Sequence, residues 1–566
     1  PYAKIYQSGL NKENTPSLAA TGSVNYKFTD WLTFDGSYSL HFVPKENIKF
    51  TNSIKTYYPN GNIAYEKPAK ASLSEKKTNS LNQDFKAMLN FNKTFGDHNV
   101  KALVGFSHES YTGKWISASR SDYVFEDMKN EGSGDEWVLR SFYGRLNYDY
   151  KSKYLFEANI RYDGSSRFAS GNKWGVFPSF SAGWRISEEA FWEPFKNVVD
   201  NVKLRASWGQ LGNQLIGNYS FASFVTYGTN IMGGQAMSSA YLSDMANPDI
   251  SWEKTTMTNI GLDMSLFSKL SMTFDYYVRR TSDILLKLDI PKFTGLNAPY
   301  QNAGVVDNKG WDLSFSWRDN ISDFQYGATF VLSDVRNEVV DLKGVKRTGL
   351  TVSNEGYPIN SLYGLEAIGF IQESDYDENG KYLYATQYGN FGPGDIKYKD
   401  QNKDGVIDDK DEKIIGSTIP RFNFSLNLNA SWKGFDLSMF WQGVGKADGY
   451  LYGNATMPFI MGGTALEMHK DYWTSENPNA TFPRLAFNEI NNEKNSTFWM
   501  KSAAYLRLKN LQVGYTIPKS LLSKIFIKNL RVYVSGQNLF TIDNFWDGYD
   551  VEAPVGIGSF YPQVKL

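Results

Sequence analysis

Residues 422–432 read Phe-Asn-Phe-Ser-Leu-Asn-Leu-Asn-Ala-Ser-Trp, with every even position apolar and every odd one Asn or Ser. A strand has a side-chain period of two, so one face of this segment is apolar and the other polar. The pattern recurs. Leu32, Phe34, Tyr38 and Leu40 alternate with Thr33, Asp35, Ser37 and Ser39, and Phe85, Ala87, Leu89 and Phe91 with Lys86, Met88, Asn90 and Asn92. Phe142, Gly144, Leu146 and Tyr148 oppose Tyr143, Arg145, Asn147 and Asp149; Phe156, Ala158, Ile160 and Tyr162 oppose Glu157, Asn159, Arg161 and Asp163. Each segment is about as long as a strand that crosses a bilayer obliquely. A membrane barrel needs lipid on one face and water on the other, and this alternation supplies both.

Turn chemistry extends the argument. Phe95-Gly96-Asp97 joins one pair of segments, Lys151-Ser152-Lys153 another, and Lys433-Gly434 a third, as short hairpin turns do. Longer connections, Lys45 to Ser80, Gly228 to Pro248 and Tyr450 to Asn495, fall between other segments. Short turns at one rim and long loops at the other predict an all-β fold: a large antiparallel transmembrane β-barrel with long extracellular loops. Arg145, Glu157 and Arg161 all fall on the polar face, where a charge meets water. On a lipid face at mid-depth, Lys or Arg would cost about 2–4 kcal/mol. A string of soluble sandwich domains also alternates, but its strands are usually about 5–6 residues long. Trp31, Trp432 and Trp441, at strand ends, suit interfacial girdles better.

Composition narrows the function. The 566 residues carry 59 basic and 60 acidic side chains, which argues against nucleic acid as a partner. With no Cys, disulfides, thiol catalysis and Cys-ligated metals are excluded. The four His (His41, His98, His108 and His469) are widely separated, so a His-rich metal site is not expected. Aromatic residues make up 16% of the chain, enough for both girdles and sugar-stacking loops. Mean hydropathy is −0.44; a barrel hides its apolar half in alternation, so this value does not oppose one. No enzyme motif is present: no Gly-x-Ser-x-Gly elbow, His-Glu-x-x-His zinc site or phosphate loop. The chain is not expected to be an enzyme.

From Tyr154 the sequence runs YLFEANIRYDGSSRFASGNKWGVFPSFSAGWRISEEAFW, then VKLRASWGQLGNQLIGNYSF. Further blocks follow: NPDISWEKTTMTNIGLDMSLF from Asn247, NKGWDLSF from Asn308, EGYPINSLYGLEAIGF from Glu355 and DQNKDGVIDDKDEKIIGSTIPRFNFSLN from Asp400. HKDYWTSENPNATFPRL from His469, YLRLKNLQVGYTIP from Tyr505 and LRVYVSGQNLFTIDNFWDGYDVE from Leu530 complete the set. In content and order these resemble the SusC/RagA-type TonB-dependent outer-membrane transporters of Bacteroidota, over nearly all of Phe142 to Leu566.

The resemblance implies a 22-stranded barrel around an N-terminal plug, of which residues 1–566 hold only part of the barrel. Neither the plug domain nor the final strand is recognised in this sequence. The resemblance further implies import of oligosaccharides or peptides beneath a SusD-type surface lipoprotein, in a dimer of such pairs. Energy would come through a TonB–ExbB–ExbD complex acting on the plug. Two alternatives remain: a passive porin or structural envelope barrel without TonB coupling, and a secreted β-rich binding protein.

Two local features are candidate sites. Asp400, Asn402, Asp404, Val406 through its carbonyl, Asp408 and Asp411 occupy positions 1, 3, 5, 7, 9 and 12 of an EF-hand-like calcium loop, with Gly405 at position 6. Asp at position 12 replaces the usual Glu, so affinity in the range of extracellular modules, about 10⁻⁴–10⁻³ M, is expected. The simpler reading is a solvated turn built from Asn, Asp and Gly. The second feature is the loop aromatics Tyr472, Trp473, Phe482, Phe487, Phe498 and Trp499. They are placed either to stack on sugar, with Asn477, Asn479 and Arg484 bonding hydroxyls, or, as is expected more often, to pack the loop against itself or against a lid protein. Phe545 and Trp546 belong to no binding motif.

Overall fold

The computed structural model describes residues 8–121, 128–344, 346–453, 456–459, 464–487, 489–522 and 527–556. The sequence end Phe560–Leu566 lies outside them. The chain divides into two compact units. One comprises residues 1–183, 207–256 and 282–303; the other comprises 184–206, 257–281 and 304–566.

In the first unit, strands follow one another as antiparallel neighbours. Leu18–Thr29 pairs with Leu32–Thr51, which pairs with Ser72–Phe95, then His98–Ser121, Lys129–Tyr150 and Tyr154–Ser165. Gly9–Asn14 continues the first of these along the same edge of Leu32–Thr51. Thr15-Pro16-Ser17 separates the two, as expected where Pro offers no N–H to a ladder. The second unit repeats the design. Tyr300–Ile321 hairpins onto Phe324–Asp341, followed by Arg421–Trp432, Phe435–Lys446, Tyr505–Thr516 and Arg531–Gln537.

The hairpins form where the sequence places them. At Lys433-Gly434 both residues have positive φ, 45° and 92°. Two consecutive left-handed residues turn a hairpin with the twist its strands already have. Lys433 accepts the strain; Gly434 has none to accept.

The strands are longer than the roughly ten residues that a crossing requires. Ser72–Phe95 and His98–Ser121 have 24 residues each and pair over their whole length. Much of what the sequence reading treats as the loop Lys45 to Ser80 is therefore ladder, extending beyond bilayer thickness. Alternation fades there because both faces meet water. Gly228 to Pro248 likewise holds most of a hairpin, Val225–Met232 with Gln235–Leu242.

The second unit's connections are a packed body rather than open loops. Leu362, Leu365, Ile396, Tyr398, Tyr450, Phe482, Trp499 and Trp546, from segments far apart in sequence, share one buried cluster. Such long segments stay ordered only by burying apolar area against the entropy of fixing them. Among the described residues no helix is long and apolar enough to cross a membrane; crossing, where it occurs, is by strand.

Candidate functional site

Register shows what each strand face presents. Directly opposed residues in an antiparallel ladder share a face. Phe142, Gly144, Leu146 and Tyr148 stand opposite Tyr162, Ile160, Ala158 and Phe156. This face is apolar and open: Phe142 is 50% exposed and Ile160 54%. On the reverse face, Tyr143, Arg145 and Asn147 oppose Arg161, Asn159 and Glu157. There the side chains bond one another: Arg145 Nε donates to Asn159 Oδ1 at 2.7 Å, and Asn159 Nδ2 to Glu157 Oε1 at 2.8 Å. A water-soluble sheet does the reverse, burying its apolar face. Apolar outside and hydrogen-bonded inside is what a lipid solvent selects.

The polar face also carries an arrangement that local sequence reading missed. Arg205 donates to both oxygens of Asp263 at 2.8 and 2.9 Å and to both of Asp275 at 3.1 and 3.0 Å. The three belong to three strands, Val199–Asn213, Glu253–Leu266 and Leu270–Lys287. The available signal was parity: Arg205 falls between Leu204 and Ala206, and Asp275 between Phe274 and Tyr276, all on polar-face positions. Pairing partners were not readable without register.

In the loop body, packing accounts for most of the aromatic candidates. Phe482 and Trp499 are fully buried, and Trp473 nearly so. Phe482 sits edge-on to the His469 ring at 4.8 Å and 5.9 Å from Trp546, while Trp499 Nε1 donates to Asn492 O at 2.9 Å. Phe498 is half-buried, edge-on to Trp499. Phe545 and Trp546, which matched no motif, are buried in the same cluster. Of the six candidates Tyr472 and Phe487 are the exposed ones, Phe487 at 70%. Among the polar neighbours, Asn477 is spent on a turn, donating to Asp471 Oδ1 at 3.0 Å, and Arg484 is bound to Asp395; Asn479 is exposed.

His469 and Glu366 are among the titratable groups of this body that are shifted. His469 lies buried with its Nδ1 accepting from the Leu466 N–H at 2.9 Å and its Nε2 bonded to Thr456 O at 2.7 Å. Burial lowers its pKa, and a ring with one accepting and one donating nitrogen is neutral. Glu366 accepts from Lys413 and Gln401 at 2.7 and 2.8 Å, which pulls its carboxyl down to about 2.

That glutamate clamps both flanks of the acidic loop. Within the loop Gly405 has φ +85°, as the sharp turn requires. The carboxylates, however, are engaged by backbone amides. Asp400 accepts from the Gly405 N–H at 2.9 Å, Asp404 from Val406 at 3.0 Å, Asp408 from Lys410 at 2.7 Å, and Asp411 from Gln401 and Asp408 at 2.8 and 2.9 Å. The Lys410 ammonium lies 3.8 Å from Asp404 and 3.5 Å from Asp408. Among the described residues no three acidic or histidine groups converge as a metal-holding set. The loop as folded is a network of Asx-type caps.

With the geometry in place, comparison supplies the family. Residues 46–539 match the family model described as TonB dependent receptor-like, beta-barrel. The chain belongs to the TonB-dependent receptor β-barrel family. It is 30% identical to the TonB-dependent receptor P3 of Formosa agariphila over 98% of this chain and 56% of that protein. It is 27% identical to the TonB-dependent receptor SusC of Bacteroides thetaiotaomicron over the same shares. Its fold superposes on a structure of the RagAB peptide importer in the open-open state with a TM-score of 0.82, at 24% identity over 100% of this chain and 61% of that one. The chain spans about half the length of the curated relatives it matches. SusC is thus among the curated relatives it matches, and TonB-dependent receptors are outer-membrane proteins.

Proposed function

We propose that this chain forms the wall and surface loops of an active nutrient importer. In this reading oligosaccharides or peptides enter beneath a SusD-type lipoprotein, two such pairs form a dimer, and a TonB–ExbB–ExbD complex supplies energy through a plug. The observation that carries it is the pairing of a lipid-compatible apolar face with a hydrogen-bonded reverse one. The relatives lend support: one neighbouring structure is that of a peptide importer. The test is uptake by cells carrying the whole gene, with and without an uncoupler of the proton gradient. Uptake that stops with the gradient supports import; uptake that persists, together with steady conductance in a planar bilayer, supports the passive porin.

The 400–411 loop is a separate proposal, a structural calcium loop through Asp400, Asn402, Asp404, the Val406 carbonyl, Asp408 and Asp411. Donor order and the Gly405 turn support it; the engaged carboxylates and Lys410 oppose it.

A further inference from the structure

The outward face of the second unit changes character at a defined height. In the ladder between Tyr300–Ile321 and Phe324–Asp341, successive opposed pairs on one face are Ile321/Phe324, Asp319/Tyr326, Trp317/Ala328, Phe315/Phe330 and Leu313/Leu332. Trp311/Asp334, Lys309/Arg336 and Asp307/Glu338 follow on the same face. The first pair flanks a two-residue turn, and the last adjoins the long connection from residue 342. Lys309 is twelve residues from the turn. At about 3.3 Å per residue and a 45° tilt it stands roughly 28 Å above it. The apolar band of such barrels is about 25 Å tall and edged by aromatic residues. Trp311 therefore marks the upper edge, and Lys309 and Arg336 lie just beyond it, where lipid headgroups begin.

These two cations face each other directly across the ladder, and like charges so placed repel. Both are exposed. The Asp307 and Asp334 carboxylates interact with them, but each is hydrogen-bonded to a further cation. Asp307 is held by Arg280 through two bonds of 2.7 and 2.8 Å, and Asp334 is held by the guanidinium of Arg421. Glu338 lies one row farther out, opposite Asp307. Beside Arg336 the strands part, and Arg336, Glu338, Arg421, Lys446 and Asp448 help to line a cavity of about 590 Å³. Four cations, Arg280, Lys309, Arg336 and Arg421, thus stand against three carboxylates, Asp307, Asp334 and Glu338, which leaves an exposed excess of positive charge above the aromatic edge.

We propose that Lys309 and Arg336 bind the phosphate of an outer-leaflet lipid headgroup, whose acyl chains lie against Leu313, Phe315 and Phe330. The inference rests on the transmembrane reading of these strands. A planar guanidinium and an ammonium opposite each other hold a phosphate by charge-assisted bonds. The first unit has a comparable order on its own apolar face: beyond Phe142 and Phe106 come Arg140 and His108, with Arg140 Nε donating to His108 Nδ1 at 3.2 Å.

The test is native mass spectrometry of the whole receptor in detergent micelles titrated with monophosphoryl lipid A. Parallel titrations use the same lipid without phosphate, and inorganic phosphate as competitor. The expected result is retention of the phosphorylated lipid only, with at least a tenfold weaker apparent affinity in the double variant Lys309→Gln/Arg336→Gln. The charge-keeping Lys309→Arg/Arg336→Lys and the turn variant Lys433→Gln should both bind as wild type. Equal binding by the Gln variant, equal binding of dephosphorylated lipid, or full displacement by inorganic phosphate would each overturn the proposal. A wild-type receptor that stays in water without detergent and does not enter vesicles counts instead against the membrane wall itself.

Discussion

Arg484 forks onto Asp395, its Nε and one terminal nitrogen each 2.7 Å from one carboxylate oxygen. Asp395 is fully buried, and Arg484 also reaches Glu489 at 3.0 Å. Removing the guanidinium strands a buried charge, which costs about 3–5 kcal/mol in such sites. Asn492 and the Gly392 N–H still bond Asp395, so Arg484→Ala should fall near the low end. Urea unfolding in detergent, followed by Trp fluorescence, measures it. A loss below roughly 1 kcal/mol would show that the pair contributes little.

The loop aromatics divide into two groups. Trp499→Ala or Phe482→Ala should destabilise the loop body by about 3–5 kcal/mol, the usual cost of emptying a buried aromatic site. Phe487→Ala should leave stability unchanged. If any of these rings touches cargo it is Phe487 or Tyr472, so substrate-binding calorimetry on stable variants separates recognition from packing.

Face assignment has a direct consequence at mid-depth. Phe330 and Leu426 oppose each other on the apolar face, whereas Asn427 is on the other. Leu426→Arg should cost about 2–4 kcal/mol and Asn427→Arg about 1 kcal/mol or less. Folding yield into vesicles, read by heat-modified gel mobility, distinguishes them; equal yields would reverse the assignment.

His469 makes the loop body acid-sensitive. Its pKa is lowered in the fold, so the unfolded chain binds a proton first as pH falls. Stability is therefore fully present above about 6.5, the unfolded value, and declines as pH drops toward the folded value. Hydrogen exchange at amides of residues 464–482 should speed up between pH 7 and 5. His469→Gln, which can still donate to Thr456 O and accept from Leu466 N, should flatten that dependence.

For the acidic loop, a bound calcium would raise the melting temperature and a chelator would lower it, since a ligand of the folded state stabilises by mass action. Asp404→Asn and Asp411→Asn should abolish the difference. Identical melts at 5 mM calcium (about five times the weakest expected dissociation constant) and in chelator would end the calcium reading.

Period-two alternation carries the fold because face identity is a local property: Phe422 to Trp432 declares its faces without any partner. The Lys433-Gly434 turn is equally local. What was not legible depends on register and packing. The pairing of Arg205 with Asp263 and Asp275 spans 70 residues, and nothing in the 480s announces that Arg484 is consumed by Asp395 rather than by a sugar. Spacing suggested calcium, but spacing cannot say whether four carboxylates turn toward one point or toward their own backbone.

Arg205 grips two neighbouring strands at once, and slipping either by one residue would swing its carboxylate to the greasy side. Such a rivet resists shear. A chain end pulled by a cantilever should therefore yield in blocks of strands rather than peel one at a time, with an early force peak that disappears in Arg205→Ala.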